Sequence, residues 1–200
     1  IERDFNSPAL IGWCPLNETW GYEEKKTDSR LLESVYKITK LYDQTRPCID
    51  VRGNYHIDKK EIHDVHDYEQ DTAKFAENYA HIDEGIVNDQ IRRKQKDAQP
   101  YSREPIFVSE YGGIKWAPNE QSGWGYGNAP KTLKEFTERY CTLANILLSN
   151  PYIMGLCYTQ LYDVEQEKNG LYYYDRTPKF DAKTMEKLKA AMTKQAEIEK

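Results

Sequence analysis

No stretch of the sequence approaches the ~20 consecutive apolar residues that a helical membrane span requires, so no such span is expected. Positive charge is not in excess either. Lys and Arg number 28 against 33 Asp and Glu, for a formal charge of −5. With no basic stripe to offset that balance, nucleic acid is not an expected partner. The single basic cluster, residues 91–96, reads as a solvated loop or helix face. Cysteine is sparse. Cys14, Cys48, Cys141 and Cys157 show no Cys-x-x-Cys spacing, which argues against a zinc site and a disulfide framework. In apolar runs such cysteines behave as small hydrophobes. Internal repeats and low-complexity linkers are absent, so residues 1–200 are expected to form a single domain. The chain opens at Ile1 with no signal peptide, and residues 2–6 read as the tail of a helix already under way. It therefore reads as an excised piece of a longer protein.

What is present is an alternation of short buried strands with amphipathic helices, the pattern of a parallel α/β domain. Strands are expected at residues 10–14, 46–51, 61–66 (the weakest), 105–110 and 152–158. Leu31, Val35, Ile38 and Tyr42 recur at three- and four-residue steps and predict a helix over 29–44. Helical character returns over 71–80, and residues up to 103 are polar and weakly patterned. Leu133, Phe136, Tyr140, Leu143 and Leu147 mark a firm helix. A last helix begins near Asp181, a suitable N-cap, with Met185, Leu188 and Met192 facing inward. The loop 111–130 is long and rich in Gly, Trp and Asn, the kind of loop that forms the wall of a binding site. Five strands fall three short of a (β/α)8 barrel, which typically takes ~250 residues.

Two of the strands end in a glutamate: Trp13-Cys14-Pro15-Leu16-Asn17-Glu18 and Pro105-Ile106-Phe107-Val108-Ser109-Glu110-Tyr111-Gly112-Gly113. A carboxylate at the end of a buried strand stands at the rim of a sheet, fixed by a rigid element and open to a ligand. A pair of them suits glycoside hydrolysis with retention: one protonated acid at the leaving oxygen and one nucleophile, about 5–5.5 Å apart. The acid keeps its proton near neutral pH through burial and a neighbouring negative charge.

The residues around these glutamates resemble the acid/base and nucleophile motifs of glycoside hydrolase family 2, which includes β-galactosidases, β-glucuronidases and β-mannosidases. Asn17-Glu18 following Ile11-Gly12-Trp13 carries the first motif, and Ser109-Glu110-Tyr111-Gly112 the second. Asn6-Ser7-Pro8-Ala9-Leu10 resembles the approach to the family's fourth strand. Asn169-Gly170-Leu171-Tyr172-Tyr173-Tyr174-Asp175-Arg176-Thr177-Pro178-Lys179 resembles its end-of-barrel segment. The resemblance implies an α/β fold, a partial (β/α)8 TIM barrel covering strands four to eight: the C-terminal portion of the catalytic barrel. It implies a hydrolase of terminal β-glycosides working by double displacement, with a carbohydrate substrate, no cofactor and no metal.

By that resemblance Glu18 is the general acid/base, Glu110 the nucleophile, and Asn17 a contact near the sugar 2-hydroxyl. Tyr68 falls where the family places a tyrosine bonded to the nucleophile, with His66 or Tyr55 as alternatives. Tyr158 ends the last strand where relatives commonly carry tryptophan, and so joins the candidate substrate contacts. Glu167-Lys168-Asn169 stands where the glucuronidase subgroup has Asn-x-Lys. A glutamate there repels a glucuronate, which ranks β-galactosides above glucuronides. The implied partners are the N-terminal domains of the parent protein, or further copies through exposed sheet edges.

Other residues read two ways. Trp116 and Trp124 either line an outer sugar subsite or pack on the rim; Trp20 reads as packing behind Glu18. Gln160 and Asp163 either face the pocket or satisfy loop amides. His63 and His66, three apart on a strand, point to opposite faces and so do not suit one metal.

Overall fold

In the computed structural model the described residues are 1–18, 28–53, 56–58, 60–87, 99–118 and 122–200. Trp20, Tyr55 and the basic cluster 91–96 lie outside them. The chain is α/β. In chain order it runs α1 (Ser29–Tyr42), β1 (His63–Asp67), α2 (Thr72–Glu77), β2 (Ile106–Gly112), α3 (Leu133–Leu148), β3 (Ile153–Thr159) and α4 (Ala182–Met192), with a 3₁₀ turn at Glu197–Glu199. The strands form one parallel sheet in the order β1-β2-β3. Each long helix starts on a side chain able to accept its orphan N–H groups. Asp28 caps α1, Asp71 caps α2, Thr132 caps α3 and Asp181, as its position predicts, caps α4.

The first two expected strands are not regular strands. Residues 10–17 and 46–52 are joined along their backbones by isolated parallel bridges, Trp13 with Cys48 and Asn17 with Arg52. A further bridge, Ile49 with Ile62, joins them to the sheet. Pro15 and Pro47 explain the interruption, because proline has no N–H to give a ladder. The parallel order nevertheless continues outward from β1, so five segments lie side by side in chain order. Residues 2–6 form turns rather than a helix.

The core lies on the helix side of the sheet. Ile106, Val108, Tyr111 and Ile153 face Phe75, Phe136, Leu143 and Leu147, all with little or no exposure. Fully burying side chains of this size is worth roughly 1.5–3 kcal/mol each. A smaller cluster under α1 joins Leu32, Tyr36, Cys48, Val51 and Ile57, with Trp13 and Leu16 against it. This corrects the expected face of α1. Leu31, Ile38 and Tyr42 are exposed, whereas Leu32, Tyr36 and Thr39 are buried. Both sets obey helical spacing, and periodicity alone does not choose between adjacent stripes. All four cysteines are free thiols, Cys48 buried and Cys14 exposed.

On the other side of the sheet an open cleft of about 430 Å³ runs over residues that include Ile11, Cys14, Ile62, Phe107, Met154 and Cys157.

Candidate active site

A one-residue irregularity in β2 aims Glu110. Val108 pairs with Val65 and Glu110 with His66, so Ser109 is an extra residue; the pairing with β3 shifts in the same interval. Strict alternation would set Glu110 on the same face as Val108. The bulge inverts the phase, a device often found beside active sites. Val108 and Tyr111 both enter the core, while Phe107 and Ser109 line the cleft and Glu110 turns toward its rim.

Glu18 arrives differently. Its N–H donates to the Arg52 carbonyl (2.8 Å), and Arg52 N–H donates to the Leu16 carbonyl (3.0 Å). Glu18 itself adopts a left-handed backbone, φ 47°. Gly53, next to Arg52, has φ 96°, and a Cβ built there would stand 3.0 Å from Glu18 Cγ and 3.4 Å from His66 Nδ1. Glycine tolerates that backbone and leaves that space.

The two carboxylates then converge. A ligand atom from each of Glu18, His66 and Glu110 lies within 4.8 Å of the others. His66 Nδ1 is 2.8 Å from Glu18 Oε1 and 3.4 Å from Glu110 Oε2. Behind the ring, His66 Nε2 lies 3.6 Å from Asp64 Oδ2, a carboxylate whose pKa burial raises. Arg52 Nη2 donates to Glu110 Oε1 at 2.9 Å, and the Tyr68 hydroxyl donates to Glu110 Oε2. Burial, reinforced by the neighbouring Glu110 charge, drives the Tyr68 phenol well above its ordinary range, so it stays a proton donor. Tyr68 stacks face to face with Tyr126, ring centroids 3.5 Å apart. Trp124 meets Tyr126 edge-on at 5.6 Å and is half exposed. Burial raises the Tyr126 pKa, helped by the charges of Glu167, Glu18 and Glu110.

Among the described residues, Glu18, His66 and Glu110 form the group whose side chains could present atoms to a metal ion. Positive charge is already supplied at Glu110 by Arg52, and the second Glu110 oxygen is taken by Tyr68.

The candidate residues do not all gather there. Asn17 is exposed beside Glu18 and bridges Arg52 through its backbone. Trp124 and Tyr68 join the same aromatic group. Tyr158 does not, which corrects its reading as a substrate contact. Its ring packs on Tyr140 and Tyr111 within the core, and its hydroxyl accepts from Ile114 N–H and donates to the Asn169 carbonyl. Strand alternation points it to the helix side, away from the cleft. Trp116 packs against Phe136 and Phe180 and is partly buried against the core. Asp163 accepts from Gly170 N–H (3.0 Å) and from Lys179 Nζ (2.6 Å), a buried pair that fastens the end-of-barrel segment. His63 packs on His56 and Tyr101, a different setting from that of His66. Arg52 and Tyr126 escaped sequence reasoning. Arg52 lies beyond an interrupted strand and Tyr126 inside a long loop, so neither carries a periodic signal.

No family model matches the sequence, and no curated protein sequence matches it. Solved structures do. A Bacteroides uniformis β-glucuronidase covalently bound to cyclophellitol-6-carboxylate aziridine has a TM-score of 0.66 at 20% identity, over 96% of this chain and 24% of its own. A β-glucuronidase from an uncultured Clostridium gives 0.63 at 15% identity, over 94% of this chain and 33% of its own. The Dictyoglomus thermophilum β-D-glucuronidase gives 0.62 at 18%, covering 95% and 33%. The chain thus spans about a quarter to a third of the length of the structures it matches. At these identities the likeness shows the fold. It supports a barrel like that of glycoside hydrolase family 2, without picking out a member, and three parallel strands with their helices are compatible with part of such a barrel.

Proposed function

We propose that this chain is the part of a retaining β-glycosidase that carries both of its working carboxylates. The observation behind the reading is the approach of Glu18 and Glu110, with carboxylate oxygens within 4.8 Å. That is the scale of a retaining pair, about 5–5.5 Å, rather than of an inverting pair, about 6.5–9.5 Å. In the first step Glu110 attacks the anomeric carbon while Glu18 gives its proton to the departing glycosidic oxygen. The glycosyl group is then esterified to Glu110. In the second step Glu18 takes a proton from water, the water oxygen bonds the anomeric carbon, and Glu110 leaves as carboxylate. Tyr68, donating to Glu110, holds its oxygen in line, and Asn17 stands beside Glu18 to meet the sugar. Trp124, half exposed at the end of the aromatic group, offers a face to the sugar ring.

The sugar is a separate matter. Glu167 places negative charge near Tyr126 and favours a neutral, β-galactoside-type ring. The β-glucuronidase neighbours favour a glucuronide at least as well. A panel of aryl β-glycosides, including galactoside, glucuronide and mannoside, given to the full-length protein separates the two. Hydrolysis of none of them, or near-normal turnover by Glu18→Gln or Glu110→Gln, would sink the glycosidase reading.

A second reading is favoured by the open cleft, where Ile11 and Met154 lie exposed. Taken alone, this chain is an inactive scaffold whose cleft and outer sheet edges are covered by the N-terminal domains of its parent or by further copies. Light scattering on the isolated chain tests it. A monodisperse monomer with full glycosidase activity would exclude that reading.

A further inference from the structure

We infer that Arg52 is the positioning residue that sets the gap between the two carboxylates, an inference that rests on the glycosidase reading. Arg52 touches both sides of the site by different means. Its carbonyl accepts the Glu18 N–H at 2.8 Å, and its own N–H is tied to Leu16, so its backbone holds the segment that presents Glu18. Its guanidinium reaches across the cleft. Nη2 meets Glu110 Oε1 at 2.9 Å and the Ser109 carbonyl at 3.2 Å, and Nε meets Ser109 Oγ at 3.2 Å. Ser109 is the extra residue of the bulge that turns Glu110 toward the rim. The fork therefore grips the carboxylate and the backbone feature that aims it.

Arginine suits this task for a geometric reason. Its planar fork can hold three acceptors in one plane, whereas a lysine ammonium is a point charge on a flexible stem. The site is partly screened from water, with the Arg52 side chain 27% exposed and that of Glu110 18%. The ion pair is thus better placed than a surface pair to hold a fixed geometry. Arg52 also precedes Gly53, whose left-handed backbone leaves room for Glu18 Cγ and His66. Neutralising Arg52 frees Glu110 and Ser109 from the Arg52 segment, and the spacing of the pair is no longer fixed.

The test is covalent trapping of the full-length enzyme with an activated 2-deoxy-2-fluoro glycoside of whichever sugar it hydrolyses, followed by peptide mass spectrometry and a thermal melt of each variant. Wild type is expected to carry one glycosyl group on Glu110. A misplacement of about 1 Å costs on the order of 10²-fold, so Arg52→Ala should be labelled about that much more slowly. Added guanidinium chloride at non-denaturing concentration should recover part of the rate. Arg52→Lys should fall between the two, because it restores charge without the fork. A folded Arg52→Ala labelled at the wild-type rate, or one that guanidinium leaves unimproved while Arg52→Lys equals wild type, overturns the inference. Labelling of wild type at a residue other than Glu110 overturns the glycosidase reading, and the inference with it.

Discussion

The two carboxylates come from regions built in opposite ways. Glu110 stands on the central strand of a parallel sheet, beside the bulge at Ser109, in a strand paired on both sides and backed by α3. Glu18 ends a segment held by isolated bridges, a few backbone bonds and a small cluster under α1. The strand region owes its geometry to repetition and dense packing, broken at Ser109 by the bulge that aims Glu110. The bridged region owes its geometry to individual side chains: Asp43 gripping Trp13, Arg52 reaching Glu110, His66 meeting Glu18. A nucleophile must sit still against one carbon, while an acid/base must serve a leaving group and then a water. On the proposed glycosidase reading, the two constructions suit those two duties.

The sharpest test of this contrast is chemical. On the proposed glycosidase reading Glu110 is the nucleophile, and Glu110→Gln in the full-length protein should lower kcat/KM on the order of 10⁴-fold or more for every substrate. On the same reading Glu18 is the acid/base, and Glu18→Gln should cost about 10²–10⁴-fold for poor leaving groups. Its cost should shrink for aryl glycosides whose leaving group needs no proton. A Brønsted series of aryl glycosides reads the difference, and equal sensitivity in both variants would erase the distinction.

Packing gives the next largest effect. Phe136→Ala hollows the core behind β2 and should destabilise by about 3–5 kcal/mol. Ile11→Ala, on an exposed side chain of the bridged region, should stay within about 0.5 kcal/mol. Denaturant unfolding checks both, and a comparable loss from each would mean that the bridged region is as tightly packed as the sheet.

A smaller effect is expected at Gly53. Alanine there costs about 1–2 kcal/mol for its left-handed backbone and presses on Glu18 Cγ. Activity should fall by more than the loss of stability explains, read as kcat at a temperature well below the melting point. Unchanged kcat would show that Glu18 is held by other means.

The gentlest probe is pH. Asp43 accepts from the Thr45 hydroxyl and N–H, from Trp13 Nε1 and from Arg46, and these bonds hold its pKa far below the ordinary carboxylate value. A group with a depressed folded pKa stabilises the fold above its unfolded pKa, near 4, and that contribution fades as pH falls toward the folded value. Trp13 fluorescence should therefore respond to acid below about pH 4 before the far-ultraviolet signal of the sheet does. Asp43→Asn should remove this acid step and lower stability at neutral pH. Simultaneous loss of both signals in the native chain would make the two regions one cooperative unit.

The sequence made the regular region legible and left the bridged one obscure. The extent of α3 and the cap of α4 follow from spacing and from Asp181, because burial on one face imposes a period on the residues. The glutamates were visible as charged stops on apolar runs, and Tyr68 from the resemblance of its surroundings. The buried face of α1 was not legible, since Leu31 and Leu32 begin equally regular stripes and the partner cluster of Trp13, Leu16 and Cys48 chooses between them. Arg52 and Tyr126 were invisible for a related reason. Their positions depend on bridges and on a loop returning to Gly113, contacts that leave no period in the chain.

Ser109 has one more consequence. The direction of Glu110 depends on how the strand accommodates one surplus residue, not only on what its side chains are. Exchanging side chains one at a time, however thoroughly, would leave that surplus intact and report Ser109 as a tolerant hydroxyl. Taking out the single residue would restore strict alternation with Glu110 still on the cleft side and Tyr111 still in the core, but would remove the Ser109 carbonyl and hydroxyl that Arg52 grips. What the surplus residue adds is therefore the hold on Arg52 rather than the face on which Glu110 stands, and losing one codon here would loosen that carboxylate without burying it.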